Sequence, residues 1–210
     1  MFNKILYVPH HCFGNDGLLL LLFILSDYIL FMSEERIMIF IDGSNFYHGI
    51  KENIKGVKEK DIDFQKLGKL IAGKRKLIRI YYYNAPLDRT FNQEKYKKQQ
   101  QFFDKLGKTP NLKLILVRMQ KRKLDGKIYY VVKGDDIHIA TDMIVLASKN
   151  AYDTAVLVSG DGDFVPAIKA VQELGKQVEN CYFKTGHSWH LRQTCDKSFL
   201  MDNNMLKKCV

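Results

Sequence analysis

Short, continuous apolar runs alternate along the chain with segments in which apolar residues recur at helical spacing. Unbroken apolar runs are typical of strands buried in a parallel sheet, and repeats every three or four residues indicate helices. The pattern predicts strands at 36–41, 77–83, 112–119, 154–158 and 177–183. It predicts helices at about 46–52, 64–72, 90–106, 134–149, 165–174 and from 188 to the end. This alternation predicts an α/β fold in one domain.

Acidic turns follow the first and the fourth predicted strands. One is the segment 42–45, Asp-Gly-Ser-Asn, and the other is 159–163, Ser-Gly-Asp-Gly-Asp. Asn45 is also a candidate cap for the helix predicted from 46. Singly, each turn is equally consistent with ordinary turn and capping chemistry. Since parallel strands present their carboxyl ends at one edge of a sheet, the pair predicts a single site there.

The helix predicted at 134–149 adds three further carboxylates, Asp135, Asp136 and Asp142. Asp142 lies beside the apolar stripe of this helix, where a carboxylate is costly unless it is paired or bound to a metal. Asp135 and Asp142 are seven residues apart and share a helix face better than Asp136 and Asp142. The choice between Asp135 and Asp136 stays open.

Several carboxylates at one place repel one another unless a cation holds them. Oxygen-only ligands select a hard ion such as Mg²⁺ or Mn²⁺ rather than zinc. Such an ion activates water and stabilises a phosphoryl transition state. The reaction class indicated is metal-assisted phosphodiester hydrolysis.

The charge of the chain favours a polyanionic partner. Its net charge is +10, with an isoelectric point near 9.3. Asp125-Gly126 between two extended runs predicts a β-hairpin at about 112–133. Tyr129 and Tyr130 are interleaved there with the basic residues Arg118, Lys121, Arg122, Lys123, Lys127 and Lys133. Basic and aromatic side chains together are what binding of single-stranded nucleic acid requires.

Residues 1–31 differ from the rest of the chain by their apolar run at 17–31. The run falls short of the roughly 20 apolar residues that cross a bilayer as a helix. Three interpretations stay open: translation from Met32 or a disordered extension, a membrane-associated helix, and a signal peptide. No firm membrane partner is indicated. The four cysteines show no paired spacing, which predicts reduced thiols and a cytoplasmic protein.

Three motifs in order resemble the LabA-like NYN family of PIN-like domains. They are Phe40–Phe46, Lys133–Ile137 together with Asp142, and Ser159–Phe164, and the resemblance covers roughly Arg36 to Leu200. It implies a PIN-like NYN domain at 32–210, a Rossmann-like three-layer α/β sandwich whose central sheet is mainly parallel. The basic β-hairpin is an extension of that fold. Active family members are metal-dependent ribonucleases.

The resemblance also implies roles for single residues. The catalytic set carried over is Asp42, Asp136, Asp142, Asp161 and Asp163, and the metal ligands are Asp42, Asp142, Asp161 and Asp163. Asp135 stands where the family often has an apolar residue. Asn45 orients a metal ligand or the scissile phosphate. With the hairpin cations, the substrate-binding set is Asn45, Lys121, Arg122, Lys123 and Lys133.

The function predicted is an endoribonuclease that uses Mg²⁺ or Mn²⁺ and water to cleave single-stranded or structured RNA, without a small-molecule cofactor. The alternative is a nucleic-acid-binding or regulatory NYN protein with weak or no nuclease activity. Homo-oligomerisation is left open. Receiver or haloacid-dehalogenase chemistry is disfavoured because the first strand lacks Asp-x-Asp and Tyr83-Asn84 offers no phosphorylatable Asp.

Two further groups of residues are interpreted as structural. The spacing of Cys181, His187, His190 and Cys195 is not that of a standard zinc site. We therefore expect reduced core thiols and a local helix surface. Trp189 and the run Tyr81–Tyr83 are interpreted as core residues.

Overall fold

A computed structural model describes residues 34–90, 92–124 and 127–210. The chain divides into two compact units, Met1–Glu34 and Glu35–Val210, and the second contains every element given below. Within the described ranges, no helix has the length and apolar character needed to cross a membrane. The apolar extension at 1–31 lies outside those ranges, so its three interpretations stay predictions.

Strands and helices alternate along the second unit. The strands are β1 (Arg36–Asp42), β2 (Lys76–Asn84), β3 (Leu112–Leu116), β4 (Arg118–Leu124), β5 (Lys127–Lys133), β6 (Thr154–Val158), β7 (Gln177–Tyr182) and β8 (Lys197–Leu200). The helices are α1 (Gly43–Asn53), α2 (Phe64–Ala72), α3 (Gln93–Gly107), α4 (Asp135–Ser148), α5 (Val165–Glu173), α6 (Trp189–Thr194) and α7 (Asn203–Lys207). Short 3-10 turns lie at Glu59–Asp61 and Gly162–Phe164.

Six strands form one sheet in the order β3-β2-β1-β6-β7-β8, and every neighbouring pair is parallel. This confirms the predicted α/β fold with a parallel central sheet. The chain leaves β1 toward β2 on one side, whereas β6 pairs with β1 on the other. In open parallel sheets such a reversal of strand order creates a crevice beyond the carboxyl ends of the strands. The acidic turns after β1 and β6 border that crevice.

Both faces of the sheet are covered, which makes the three layers. Side chains alternate along β1, so Ile37, Ile39 and Ile41 lie in one buried cluster. Met38 and Phe40 lie in a second cluster on the opposite face, with residues of α4 and α5. Because β1 and β6 are buried on both faces, their sequences read as unbroken apolar runs.

The predicted single strand at 112–119 is wrong in its extent. β3 ends at Leu116, and after Val117 the chain enters β4, which leaves the main sheet. β4 pairs antiparallel with β5 as a separate two-stranded ribbon. The predicted turn residues Asp125 and Gly126 lie outside the described residues, and a basic hairpin extension stays a prediction.

The prediction of one helix from Ser188 to the end is wrong. The chain forms the short helix α6, then the parallel edge strand β8, then α7. β8 has four residues in the pattern Lys-Ser-Phe-Leu, and it pairs only with β7. So short a half-exposed strand has no periodicity of its own, and its pairing with β7 is what defines it.

Candidate active site

Asp42 stands at the end of β1 with 6% of its surface exposed. Its Oδ1 accepts a hydrogen bond from the backbone N–H of Asn45 at 3.0 Å and so caps α1. Its Oδ2 accepts from the hydroxyl of Ser159 at 3.1 Å. The expectation that Asn45 caps this helix is wrong, because Asp42, three residues earlier in extended conformation, supplies the capping oxygen.

Asn45 instead ties the two acidic turns together. Its side-chain Oδ1 accepts a hydrogen bond from the backbone N–H of Gly160 at 3.0 Å, across 115 residues of sequence. Its amide oxygen accepts this bond, and its Nδ2 group is the donor that it offers to other partners. The residue fixes the spacing between the ends of β1 and β6.

Ser159 and Asn180 support the turn after β6. The hydroxyl of Ser159 donates to Asp42 and accepts from the backbone N–H of Asp161 at 3.1 Å. Asn180, fully buried in β7, donates from Nδ2 to the carbonyl oxygens of Leu157 at 3.2 Å and Ser159 at 2.9 Å. Sequence reasoning missed Asn180. Its neighbour Glu179 is also polar, so nothing in the sequence of β7 marks Asn180 as a buried residue.

The acidic turn itself is closely packed. Asp161 accepts from the backbone N–H of Asp163 at 2.9 Å, and Asp163 is exposed. Gly160 passes so near the segment after β7 that an added Cβ would lie 2.0 Å from the carbonyl oxygen of Gly186. Glycine is required at 160 by this backbone approach. The turn is thereby held against residues 186–188.

Asp135 and Asp136 occupy the first turn of α4, after Gly134 in the left-handed conformation at φ 88°. Burial and four negative charges together raise the pKa of Asp136 to about 6; the charges are those of Asp135, Asp42, Asp161 and Asp163. Burial also raises the pKa of Asp42; hydrogen bonds from Asn45 and Ser159 oppose this rise, and the charges of Asp135 and Asp161 add to it. Carboxylates from β1, α4 and the turn after β6 therefore interact electrostatically.

Asp142 is held by a residue of a different strand, β2. The hydroxyl of Tyr83 donates to its Oδ2 at 2.8 Å. Burial raises the pKa of the Tyr83 hydroxyl, and the charge of Asp142 raises it further. Tyr83 is also the register partner of Asp42 across β1 and β2. Asp142 itself is half-buried, beside the buried stripe of α4.

The carboxylates do not form a compact ligand cage. In the described part of the chain, no group of three or more His, Cys, Asp or Glu is close enough to hold a metal ion. The donor chemistry nevertheless fits a hard cation, because the interacting groups are all carboxylates and their charges oppose one another's ionisation. The carboxylate side chains have to move before three or more of them can bind the same ion.

The other predicted residues are placed as follows. The side chains of Lys121, Arg122, Lys123 and Lys133 lie outside the described part of the structure, and their role in substrate binding stays a prediction. Tyr81, Tyr82 and Tyr83 are buried, as predicted. The expectation that Trp189 belongs to the core is wrong, since 67% of its surface is exposed.

Cys181 and Cys195 belong to the two buried clusters on opposite faces of the sheet. The two thiols therefore cannot share one metal ion. His187 binds instead to local partners, the carbonyl oxygen of Phe183 through Nδ1 and the guanidinium of Arg192 through Nε2, both at 3.1 Å. This geometry supports the structural interpretation of these residues.

Comparisons with known proteins match most of the chain. Residues 36–202 match the profile of the NYN domain family. The crystal structure of VPA0982, a protein of unknown function from Vibrio parahaemolyticus, is similar with a TM-score of 0.63 and 24% identity. The match covers 81% of this chain and 95% of that one, and at this identity it shows the fold alone.

A second solved structure is far less similar. The reductase domain of an aureusimine biosynthetic cluster gives a TM-score of 0.26 and 10% identity, covers 83% of this chain and 41% of that one, and carries no argument. No curated protein matches the chain.

Proposed function

The chain belongs to the NYN domain family of PIN-like nucleases, and we propose that it is a metal-dependent endoribonuclease of the LabA-like kind. The reaction proposed is hydrolysis of an RNA phosphodiester bond, with Mg²⁺ or Mn²⁺ and with water as the nucleophile. One observation carries this proposal. Asp42 is hydrogen-bonded to Ser159 of the acidic turn after β6 at 3.1 Å, and Asp136 of α4 is close enough that, after burial, the charges of Asp135, Asp42, Asp161 and Asp163 raise its pKa.

Such mutual repulsion has an energetic cost in the metal-free protein. A shift of one pKa unit corresponds to about 1.4 kcal/mol of differential interaction, and nearby carboxylates can shift one another by more than one unit. Carboxylates that only stabilised the fold would be paired with cations or hydrogen-bond donors on every side. A cluster of mutually repelling carboxylates at a topological switch point is better explained as a cation site.

Asp42, Asp142, Asp161 and Asp163 are the residues proposed to hold the ion. When bound, Mg²⁺ or Mn²⁺ supplies activation of water and neutralisation of charge on phosphoryl oxygens. Hydrogen bonds fix the positions of two of these ligands. Ser159 donates to Asp42, and Tyr83 donates to Asp142. Asp163 is exposed and has the freedom to turn toward an ion.

Asp136 is proposed to accept a proton in the site and to return it. Burial and neighbouring charges raise its pKa to about 6, close to neutral pH. A carboxylate with such a pKa can take a proton from water or return one near neutrality. Asp135 lies beside it, and its charge is one of those that raise the pKa of Asp136.

The proposal also covers the substrate, RNA, and the cellular compartment, the cytoplasm. The net charge of +10 favours association with a polyanion such as RNA. Cys181, Cys195 and Cys209 are free and buried thiols. Free thiols stay reduced in the cytoplasm, which is the location proposed.

A second candidate function is RNA binding or regulation with weak or no cleavage. The observation that favours it is the absence, in the described ranges, of three ligand residues already close enough for a metal. Under this alternative, the carboxylates retain the NYN pattern without assembling on an ion.

The deciding experiment uses the full-length protein with end-labelled RNA in Mn²⁺, Mg²⁺ or EDTA. We expect endonucleolytic products that require the metal and that are lost, by at least about 100-fold in rate, in a double variant Asp161→Asn and Asp163→Asn. Asp104→Asn, an exposed change on α3, is the matched control and keeps full activity.

Two results would decide against the nuclease. Equal degradation by the wild type and the double variant would show that the cleavage comes from a contaminant. Metal-independent RNA binding by a wild type that does not cleave would establish the second candidate. Calorimetric titration with Mn²⁺ adds a readout independent of activity, because the double variant is expected to bind the ion more weakly.

A further inference from the structure

Trp189 is the only tryptophan of the chain, and 67% of it is exposed. It is the first residue of α6, in the segment 183–196 that joins β7 to β8. Tryptophan is usually buried to a large extent in a folded protein because of its size. Tryptophan is enriched at binding interfaces, so an exposed tryptophan beside a candidate site is a candidate contact for a ligand.

The backbone of this segment is fastened to the acidic turn. The N–H of Ser188 donates to the carbonyl oxygen of Gly160 at 2.8 Å. A Cβ added to Gly162 would lie 2.9 Å from the hydroxyl oxygen of Ser188. The residue directly before Trp189 therefore contacts the turn that carries Asp161 and Asp163. Since consecutive Cα atoms are about 3.8 Å apart, the backbone of Trp189 lies next to this turn.

The charge of the segment suits a phosphate backbone. Residues 183–195 contain no Asp or Glu, and they contain Lys184, Arg192, His187 and His190. The last residue of the segment, Asp196, accepts a hydrogen bond from the backbone N–H of Val178 at 2.7 Å, near the start of β7. Lys184 is exposed and directly follows Phe183 at the carboxyl end of β7. The cluster of carboxylates thus has next to it a stretch of chain that is free of negative charge.

Residues close to Trp189 in the chain are anchored to the fold. The guanidinium of Arg192 lies 3.9 Å from the ring centroid of Tyr182 and also contacts Nε2 of His187 at 3.1 Å. Leu191, the second residue after Trp189, is fully buried. An aromatic ring carried by an anchored segment loses little entropy when a flat ligand stacks on it.

We propose that Trp189 stacks on an unpaired base of the substrate RNA, next to the phosphodiester bond that lies at the carboxylate site. The protein then acts on single-stranded RNA, because the bases of a duplex are already stacked inside it. Aromatic side chains beside a positively charged path are how proteins hold single strands without reading their sequence. This proposal rests on the proposed function, and it adds that the substrate RNA is single-stranded.

The test uses the fluorescence of the single tryptophan in the full-length protein, with EDTA present to prevent cleavage. A short oligouridylate is expected to quench the emission saturably, whereas an RNA duplex of the same length is not. In a parallel anisotropy titration with labelled oligouridylate, Trp189→Ala is expected to weaken binding about 5- to 100-fold. Trp189→Phe retains most of the affinity because phenylalanine also stacks, and it shows that a loss in the alanine variant is not caused by misfolding.

Leu174→Ala is the matched control, since Leu174 is also exposed and apolar but lies just before β7, at the opposite edge of the sheet. It is expected to leave binding unchanged. Oligouridylate binding without quenching, or equal binding by Trp189→Ala, would overturn the stacking role and leave the nuclease proposal intact. Equal quenching by the duplex would overturn the preference for single strands. A change of emission on simple dilution of the protein would assign the ring to a contact between two copies and overturn the proposal.

Discussion

The hydroxyl of Tyr83 donates a hydrogen bond to the carboxylate of Asp142, with 2.8 Å between Oη and Oδ2. Tyr83 ends a central strand beside Asp42, and Asp142 lies in the middle of α4. One side chain therefore links the helix that carries three of the candidate carboxylates to the strand next to β1. This bond fixes the position of the Asp142 carboxylate.

Tyr83→Phe removes this bond and leaves the ring in place. Because the acceptor is charged and half-buried, we expect the free energy of unfolding to fall by about 1–3 kcal/mol. Denaturation with urea measures the loss. Tyr81→Phe, the same change two residues earlier on the same face, is the control, since the Tyr81 ring stacks on Phe40 and the change leaves that contact intact. Equal losses in both variants would contradict a stabilising role for the bond to Asp142.

Gly160→Ala is expected to be strongly destabilising. The new Cβ would lie 2.0 Å from the Gly186 carbonyl oxygen, and backbone cannot move aside as a flexible side chain can. We expect a loss of at least about 2 kcal/mol in the free energy of unfolding, together with displacement of the acidic turn. The control is Gly107→Ala at the end of α3, where a Cβ meets nothing within 4 Å. That change should be neutral or stabilise by about 0.5–1 kcal/mol.

The same substitution should destabilise the protein at Asn180 and be tolerated at Asn150. Asn180→Asp replaces an amide that donates to two carbonyl oxygens in the core with an acceptor, so we expect a loss of about 3 kcal/mol or more. Asn150 instead accepts through Oδ1 from Arg36 at 3.0 Å and Lys176 at 2.5 Å. Asn150→Asp should therefore be tolerated. Thermal melts of the two variants check this, and similar melting temperatures would refute the role given to Asn180.

Glu59 should make stability depend on pH. Burial raises the pKa of Glu59 to about 7, although a hydrogen bond from the Tyr82 hydroxyl opposes the rise. The folded protein binds this proton more tightly than the unfolded chain, so the free energy of unfolding decreases as pH rises from about 4.5 to about 7. Glu59→Gln removes the charge but keeps an acceptor for Tyr82. Its advantage over wild type should be near zero at acidic pH and reach about 2 kcal/mol above neutrality, after allowance for partial exposure.

Denaturation curves at several pH values measure that difference. Glu52→Gln, on the exposed surface of α1, is the control and should show no such trend. A constant difference between Glu59→Gln and wild type across the pH range would show that the ionisation of Glu59 is not coupled to folding.

The sequence predicted β1 and β6 well because both strands are buried on both faces. Burial on both faces demands an unbroken apolar run, which is a local property of the sequence. The failures have the opposite cause. β8 is a short edge strand, and the break at Val117 separates two strands that belong to different sheets. Neither feature leaves a periodicity along the chain.

The candidate site divides in the same way. The sequence by itself determined that carboxylates follow β1 and β6 and begin α4. Glycine-rich turns and helix starts can be recognised from residues that are neighbours in the sequence. Only the tertiary structure decided that Asn45 holds Gly160 and that Asn180 supports Ser159. It also decided that Trp189 stays in solvent. These relationships depend on which strands become neighbours and in what register, and residues far apart in sequence meet only when the sheet has formed.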